Sequence, residues 1–389
     1  MFNKKFLLIA AVATAVVGNA NALEANGFNV SGGVGAQYDY SKDKLREVTN
    51  NGYELYRARV SLSKDLSNLA KGLSVSAQID GKNTDLLLNT ATVNYDVNDS
   101  LSLSAGSGYY GYGTFGDMTS SYRSAFTSLA GGSATGDYKT YGAELYYSAG
   151  NFSFTLNGGL RAGKDLLDTS STHDGGSETT LFDSTYKEEK FGILAVRGDY
   201  LVNGLNVGVG LVAQNTYGFY NKITDNVDTT IDQDERDLSM TLDLSLSYAK
   251  TFGKNTLFAY VTEQADMFEP KLVSGAQKVT YTQLDLVGGL LFGVNGEFDN
   301  FGTVVKADNF VYFGAQYENI SYKFEQATTP SFESTTTSTK ITGVLGYAPN
   351  PNVVISAEYS VVKGEYDNGT RTVDTQDGQE AKLNVRLSF

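Results

Sequence analysis

The chain ends on Glu380-Ala-Lys-Leu-Asn-Val-Arg-Leu-Ser-Phe389, and the alternation in this stretch sets the fold. Strand side chains point to opposite faces in turn. Ala381, Leu383, Val385, Leu387 and Phe389 therefore share one face, and Lys382, Asn384, Arg386 and Ser388 the other. A half-buried strand in a soluble sheet has the same pattern, so these residues establish a strand without saying what its apolar side touches. That question is settled by the rest of the chain.

Upstream, the alternation recurs. The cleanest run is Leu238–Tyr248, with Leu238, Met240, Leu242, Leu244, Leu246 and Tyr248 against Ser239, Thr241, Asp243, Ser245 and Ser247. Further strands are expected at Gly27–Ser41, Tyr53–Lys64, Leu73–Asp80, Leu87–Val97, Leu101–Gly106, Tyr141–Tyr147 and Phe152–Leu160. The second half adds Phe191–Leu201, Leu205–Gln214, Thr256–Thr262, Val279–Phe292, Phe310–Glu325, Lys340–Tyr347, Val353–Val362 and the closing Ala381–Phe389. Tight turns at Asn98-Asp99, Gly150-Asn151, Asn203-Gly204 and Pro349-Asn350 alternate with long polar connections. The long ones are Ser107–Tyr138, Gly163–Glu188, Tyr217–Asp237 and Gln326–Thr339. Within Phe310–Glu325 the apolar phase switches between Tyr317 and Ile320. A hairpin about Glu318-Asn319 makes seventeen segments, and a bulge in one long strand makes sixteen. Single-chain bacterial barrels close on an even number, which selects sixteen.

The other terminus carries an address. Met1–Lys5 is basic, Phe6–Val17 is apolar, and Ala20-Asn21-Ala22 supplies small residues for cleavage, the layout of a secretory signal peptide. Residues 1–22 are read as that signal and 23–389 as one barrel domain with no room for a linker. Without Lys4 and Lys5, 28 basic residues face 44 acidic ones, a formal charge of −16. This balance argues against nucleic acid, whose binders cluster Lys and Arg. There is no cysteine, so the exported chain has neither a disulfide framework nor a thiolate metal site. No mature stretch approaches the roughly 18 apolar residues of a spanning helix. With 42 glycines, 47 Tyr and Phe and only 4 prolines, the composition fits an all-β chain.

A soluble sandwich or solenoid would put every apolar face into a shared core. The opposite faces here carry Ser, Thr, Asn, Gln, Asp and Arg, which suit a wet lumen. Many apolar faces include aromatics (Tyr40, Tyr95, Tyr147, Tyr200, Tyr248, Tyr347, Phe389), as lipid-boundary girdles require. The expected fold is an all-β transmembrane antiparallel barrel of about 16 strands, its backbone satisfied by closure.

The signal peptide, the Tyr56-Arg57-Ala58-Arg59 strand, the segment Leu101–Gly116 and the terminal Phe together resemble the Gram-negative outer-membrane porins. The resemblance implies an outer-membrane, water-filled channel for passive diffusion of small hydrophilic solutes and ions. It also implies a homotrimer among lipid and lipopolysaccharide, with Phe389 read by the barrel-assembly machinery. In that family the loop after the fifth strand folds inward and narrows the channel against an arginine wall. The matching positions are Asp117 and Arg123 on the loop, Arg57 and Arg59 on the second strand, and Arg161 and Arg197 on later strands. As acids this loop carries only Asp117 and Asp137, fewer than a strong transverse field needs.

Catalysis has little to work with. His173, the single histidine, lies in a Ser/Thr-rich loop without a spaced nucleophile or acid partner, so no enzyme and no cofactor are expected. The acids of Asp225–Asp237 match no calcium-loop spacing and read as a solvated loop. The glycines of Gly106–Gly116 lack the Lys-Ser/Thr ending of a phosphate loop. The competing function is a structural or adhesive barrel that works through its outer loops.

Overall fold

The computed structural model describes residues 23–25, 27–45, 47–82, 85–111, 124–126, 137–162, 190–217, 236–268, 279–326 and 332–389. After a short β1 (Leu23–Ala25) come β2 (Phe28–Asp43), β3 (Val48–Asp65), β4 (Leu73–Lys82), β5 (Asp85–Asn98) and β6 (Leu101–Gly111). These are followed by β7 (Asp137–Ala149), β8 (Phe152–Ala162), β9 (Lys190–Val202), β10 (Leu205–Tyr217), β11 (Arg236–Phe252) and β12 (Asn255–Phe268). The last are β13 (Val279–Phe298), β14 (Val304–Gln326), β15 (Phe332–Asn350), β16 (Val353–Asp367) and β17 (Thr372–Ser388).

Each strand from β2 onward pairs antiparallel with the next, and β17 returns to pair with β2 from Gly378↔Asp43 to Ser388↔Gly33. The ring β2–β17 is a closed sixteen-stranded barrel, so it has no open edge. At one end the connections are tight. Asn203 and Gly204 both take positive φ (50° and 85°), the two-residue geometry expected of an Asn-Gly hairpin. Asn98 Oδ1 accepts the N–H groups of Ser100 and Leu101 to close the β5–β6 turn. The turn placed at Pro349-Asn350 sits at 351–352 instead, where Asn352 N–H donates to Asn350 Oδ1.

Exposure separates the two faces. Leu244, Leu286, Val311, Phe313, Leu345 and Leu383 are exposed, whereas Asp243, Ser245, Asp285, Gln316, Ser356 and Asn384 on the opposite face are buried. A soluble sandwich would do the reverse. Exposed apolar surface around a closed sheet suits lipid, and the inward polar face suits a lumen.

Two expectations about β14 and β15 are corrected. Neither a hairpin nor a bulge occurs at the phase switch, because β14 keeps unbroken register with both neighbours from Gln316 through Ser321. The switch reflects a change of surroundings. Below it, Val311, Phe313 and Tyr317 face outward and are exposed. Above it, the outward positions include Lys323, whose Nζ lies 2.6 Å from Glu325 and 3.1 Å from Glu333. Such a charged trio belongs in water, so the strand has left the apolar band, while Ile320 turns inward and is 3% exposed. For the same reason β15 begins at Phe332, and most of the loop expected at Gln326–Thr339 is strand.

The inner face is also less uniformly polar than expected. Phe258, Tyr260, Val287, Leu291, Phe298, Phe310, Tyr312, Val344 and Val354 form one buried cluster on the lumenal side of β12–β16, toward the tight-turn end. Its rings pack edge-to-face, with the Phe298 centroid 5.0 Å from that of Phe310 and 5.5 Å from that of Tyr312. Local alternation hides this, because Leu257, Ala259 and Val261 make the outer face of β12 apolar too.

Candidate functional site

Among the described residues, the lumen gathers charged groups from many strands. Its best-defined group is built on β9–β11. The Asn203-Gly204 turn sets a register that puts Arg197 opposite Gly210 and Asp199 opposite Gly208, with Asp243 and Ser245 on the far side of those glycines. The guanidinium crosses that floor. Arg197 donates to both carboxylate oxygens of Asp199 at 2.8 Å, to Asp243 Oδ1 at 3.0 Å and to Ser245 Oγ at 3.3 Å. A Cβ on Gly208 would lie 2.5 Å from the Arg197 nitrogen and 2.6 Å from an Asp199 oxygen, so any side chain there would push the guanidinium aside. Two carboxylates on one cation leave this patch net acidic, with a bidentate pair at its centre.

A second group lines β14–β17 and β2. Lys340, almost fully buried, donates to Glu380 at 2.8 Å, while Glu318 stands opposite Lys340 in register. Glu358 opposes Lys382, which in turn opposes Asp39. Nearer the tight turns, Arg386 donates to Ser356 Oγ at 3.3 Å and is 1% exposed.

The expected arginine wall falls partly within this second group. Arg57 stands opposite Gly35, and Gly35 opposite Arg386; Arg59 stands opposite Gly33, and Gly33 opposite Ser388. Arg57, Arg59 and Arg386 thus occupy neighbouring rows across β17–β2–β3. Arg161 pairs with Phe191 and Thr140 on the other side of the barrel, and Arg197 is held as described. Asp117, Arg123 and His173 lie outside the described residues. Sequence reading did not single out Asp199, Asp243, Lys340, Glu358, Glu380 or Arg386. All six sit on the polar parity of their strands, which was the available signal.

Of the connection between β6 and β7, Ser124–Phe126 is described. Ser124 forms an isolated antiparallel bridge with Thr303, and Ala125 N–H donates to the Gly302 carbonyl at 3.0 Å. Ala125 and Phe126 are buried in the apolar cluster of the inner wall. The turn they meet is held by Asp299, whose Oδ1 accepts from Phe301 N–H at 2.9 Å and Thr303 N–H at 2.8 Å. Burial nonetheless holds the Asp299 carboxyl above its ordinary range, outweighing those hydrogen bonds.

No family model matches the chain, and no curated protein sequence matches it. Solved structures do. OmpT, an outer-membrane protein of Vibrio cholerae, aligns over 95% of this chain and 100% of its own at TM-score 0.54 and 14% identity. The fold is that of the outer-membrane porins. An anion-selective porin from Comamonas acidovorans aligns over 93% of this chain and 99% of its own, at TM-score 0.53 and 14% identity. The outer-membrane channel DcaP of Acinetobacter baumannii covers 95% of this chain and 100% of its own, at 0.53 and 10%. At such identities the likeness carries the fold alone.

Proposed function

We propose that the chain is an outer-membrane porin, exported by residues 1–22 and conducting small hydrophilic solutes and ions by passive diffusion. The observation that carries this reading is the closed ring with an apolar outer face and an inner face bearing Arg197, Asp199, Asp243, Lys340, Glu358 and Glu380. Charges on the inner face of a barrel serve ions and polar solutes, not lipid. Three further points support it. The fold neighbours include a porin and a channel. One OmpT neighbour is described as a trimer form, in line with a homotrimer here. Ser124–Phe126, from the connection after the fifth ring strand, bond to the β13–β14 turn and are buried against the inner apolar cluster, in line with a loop that folds inward. No reaction is assigned to the chain.

Purified mature protein in a planar bilayer tests this: stepwise conductance increments are expected. Silence in the bilayer, from protein that is folded by circular dichroism, would favour the adhesive reading. In that case the inner apolar cluster would be part of a seal.

A further inference from the structure

We propose that the β13–β14 hairpin, residues 295–309, is turned into the barrel at its tight-turn end and acts as a fixed size-selecting element at that mouth, with Phe298 and Gly302 as its positioning residues. The inference rests on the porin reading and deepens it, because it says which residues limit what enters from that side.

The hairpin is out of scale with its neighbours. On the same end β9–β10, β11–β12 and β15–β16 turn over two residues each, at 203–204, 253–254 and 351–352. The ladder of β12 with β13 stops at Asn255↔Val294, and that of β14 with β15 at Phe310↔Ala348. Residues 295–309 therefore run past both flanking strands. Both corners of this extension are bent. Asn295 and Asn309 take positive φ (66° and 53°), a left-handed conformation that asparagine tolerates. The register shifts between Val294 and Gly296 and again between Glu297 and Phe298. Such bulges bend a strand and sharpen its twist. A Cβ on Gly296 would strike the Phe310 ring and lie 2.6 Å from the Lys306 carbonyl oxygen, so the bend closes on bare backbone.

The bend points inward. Phe258 stands on the inner face of β12 and is fully buried. Gly302, at the hairpin tip, sits at φ 70°, and a Cβ there would lie 2.8 Å from the Phe258 ring. The tip has thus doubled back along the inner wall, past Asn255 where β12 begins. Phe298 packs among Phe258, Phe310 and Tyr312 at centroid distances of 6.3, 5.0 and 5.5 Å, and Val304 is fully buried beside them. The other flank of the hairpin is charged. Glu297 and Lys306 stand opposite each other and pair at 2.9 Å, with the Lys306 side chain 71% exposed. Charges stay in water, so this flank faces water while the apolar flank is seated on the wall.

The hairpin takes its volume from the lumen on the β12–β16 side. Across the barrel, Ser61, Ser74, Ser76, Ser102 and Ser104 on the inner faces of β3, β4 and β6 keep partial exposure, whereas Phe310, Tyr312 and Val354 have none. Solutes at this level pass along the hydroxyl-bearing wall, and the width left beside the hairpin sets the largest that enters.

The chain has no cysteine, so single thiols report cleanly. In folded protein Lys306→Cys is expected to react with a charged maleimide, and Phe298→Cys to be protected until the barrel is unfolded. Equal reaction at both would overturn the inward packing. Deleting residues 297–310 leaves Asn295-Gly296 as a two-residue turn on the Val294↔Val311 pair. That channel is expected to show a higher unitary conductance and to admit larger polyethylene glycols from one side of the bilayer only, the side of the tight turns. Should the deletion not fold, Phe298→Ala carries the same test through the polymer limit. A folded variant with the parent's conductance and polymer limit would overturn the size-selecting role. A parent that is silent in the bilayer refutes the conducting reading by itself; a deletion barrel that then conducts upholds the hairpin as the obstruction, and one that is also silent overturns it.

Discussion

The ring of Phe389 reaches over the Cα of Gly32. The two residues exchange backbone hydrogen bonds of 2.9 Å, each N–H donating to the other's carbonyl. A Cβ on Gly32 would come within 2.9 Å of the ring's Cζ and would also strike the Arg59 carbonyl oxygen. The terminal aromatic is thus seated on the outer wall, at the seam where the last strand meets the first strand of the ring.

Deleting Phe389 should lower the amount of barrel inserted in cells while leaving the unitary conductance of inserted channels unchanged. Gly32→Val should act alike, by unseating the ring. Quantitative outer-membrane fractionation with single-channel recording checks both halves. Normal insertion of the truncated chain would count against the assembly role.

Removing the cation from the β9–β11 patch leaves Asp199 and Asp243 facing each other across Gly208 and Gly210. Arg197→Ala should destabilise the barrel by roughly 3–5 kcal/mol, the usual cost of orphaning a buried pair. Gly208→Ala should be milder, about 1–3 kcal/mol, because the guanidinium must shift but keeps its charge partners. Urea unfolding in lipid vesicles gives both values.

Arg57 and Arg59 should set ion preference more than Arg197 does, because Arg197 is already matched by two carboxylates. The wild-type channel is expected to be weakly cation-preferring. Neutralising Arg57 and Arg59 together should strengthen that preference and change conductance, since local charge at a narrowing outweighs net charge. Reversal potentials in a salt gradient decide it, and a double mutant equal to wild type would remove these residues from the path.

The β13–β14 turn should show a pH signature. Asp299 titrates above the 3.8 of an ordinary aspartate because burial disfavours its charged form. A folded value above the unfolded one means the protonated turn is the more stable, fully so below the unfolded value. That contribution is lost as pH rises through the folded value. The midpoint of heat modification should therefore fall as pH is raised across this window. Asp299→Asn keeps an acceptor oxygen without the charge and should flatten the slope.

Strand positions were legible because a lipid-facing barrel strand has one invariant rule, apolar outward, and Leu238–Tyr248 or the closing decapeptide obeys it without exception. Where the surroundings change along a strand the rule changes too. Ile320 broke the pattern because β14 had passed out of the apolar band, and a local reading of that break suggested a hairpin or a bulge, of which closure selected the bulge. Phe258, Tyr260 and Tyr312 were invisible as inner-wall residues because their neighbours on the outer face are apolar as well. The Arg197 network was half legible. The arginine lay on the polar parity, but its partners depend on a register across three strands and on two glycines that only the paired sheet brings beneath it.

The uneven strand lengths carry a consequence for what the barrel presents to its surroundings. A tilted strand crosses the hydrocarbon with about 9–11 residues. β4 has 10 residues, whereas β14 has 23 and β15 has 19. The surplus, with Lys323, Glu325 and Glu333 on its outer side, stands clear of the bilayer as ordered sheet. One side of the rim is thus a parapet of hydrogen-bonded backbone. It offers a stiff mounting surface for a displayed peptide or a surface-directed binder, which would grip fixed side chains there in place of loop tips.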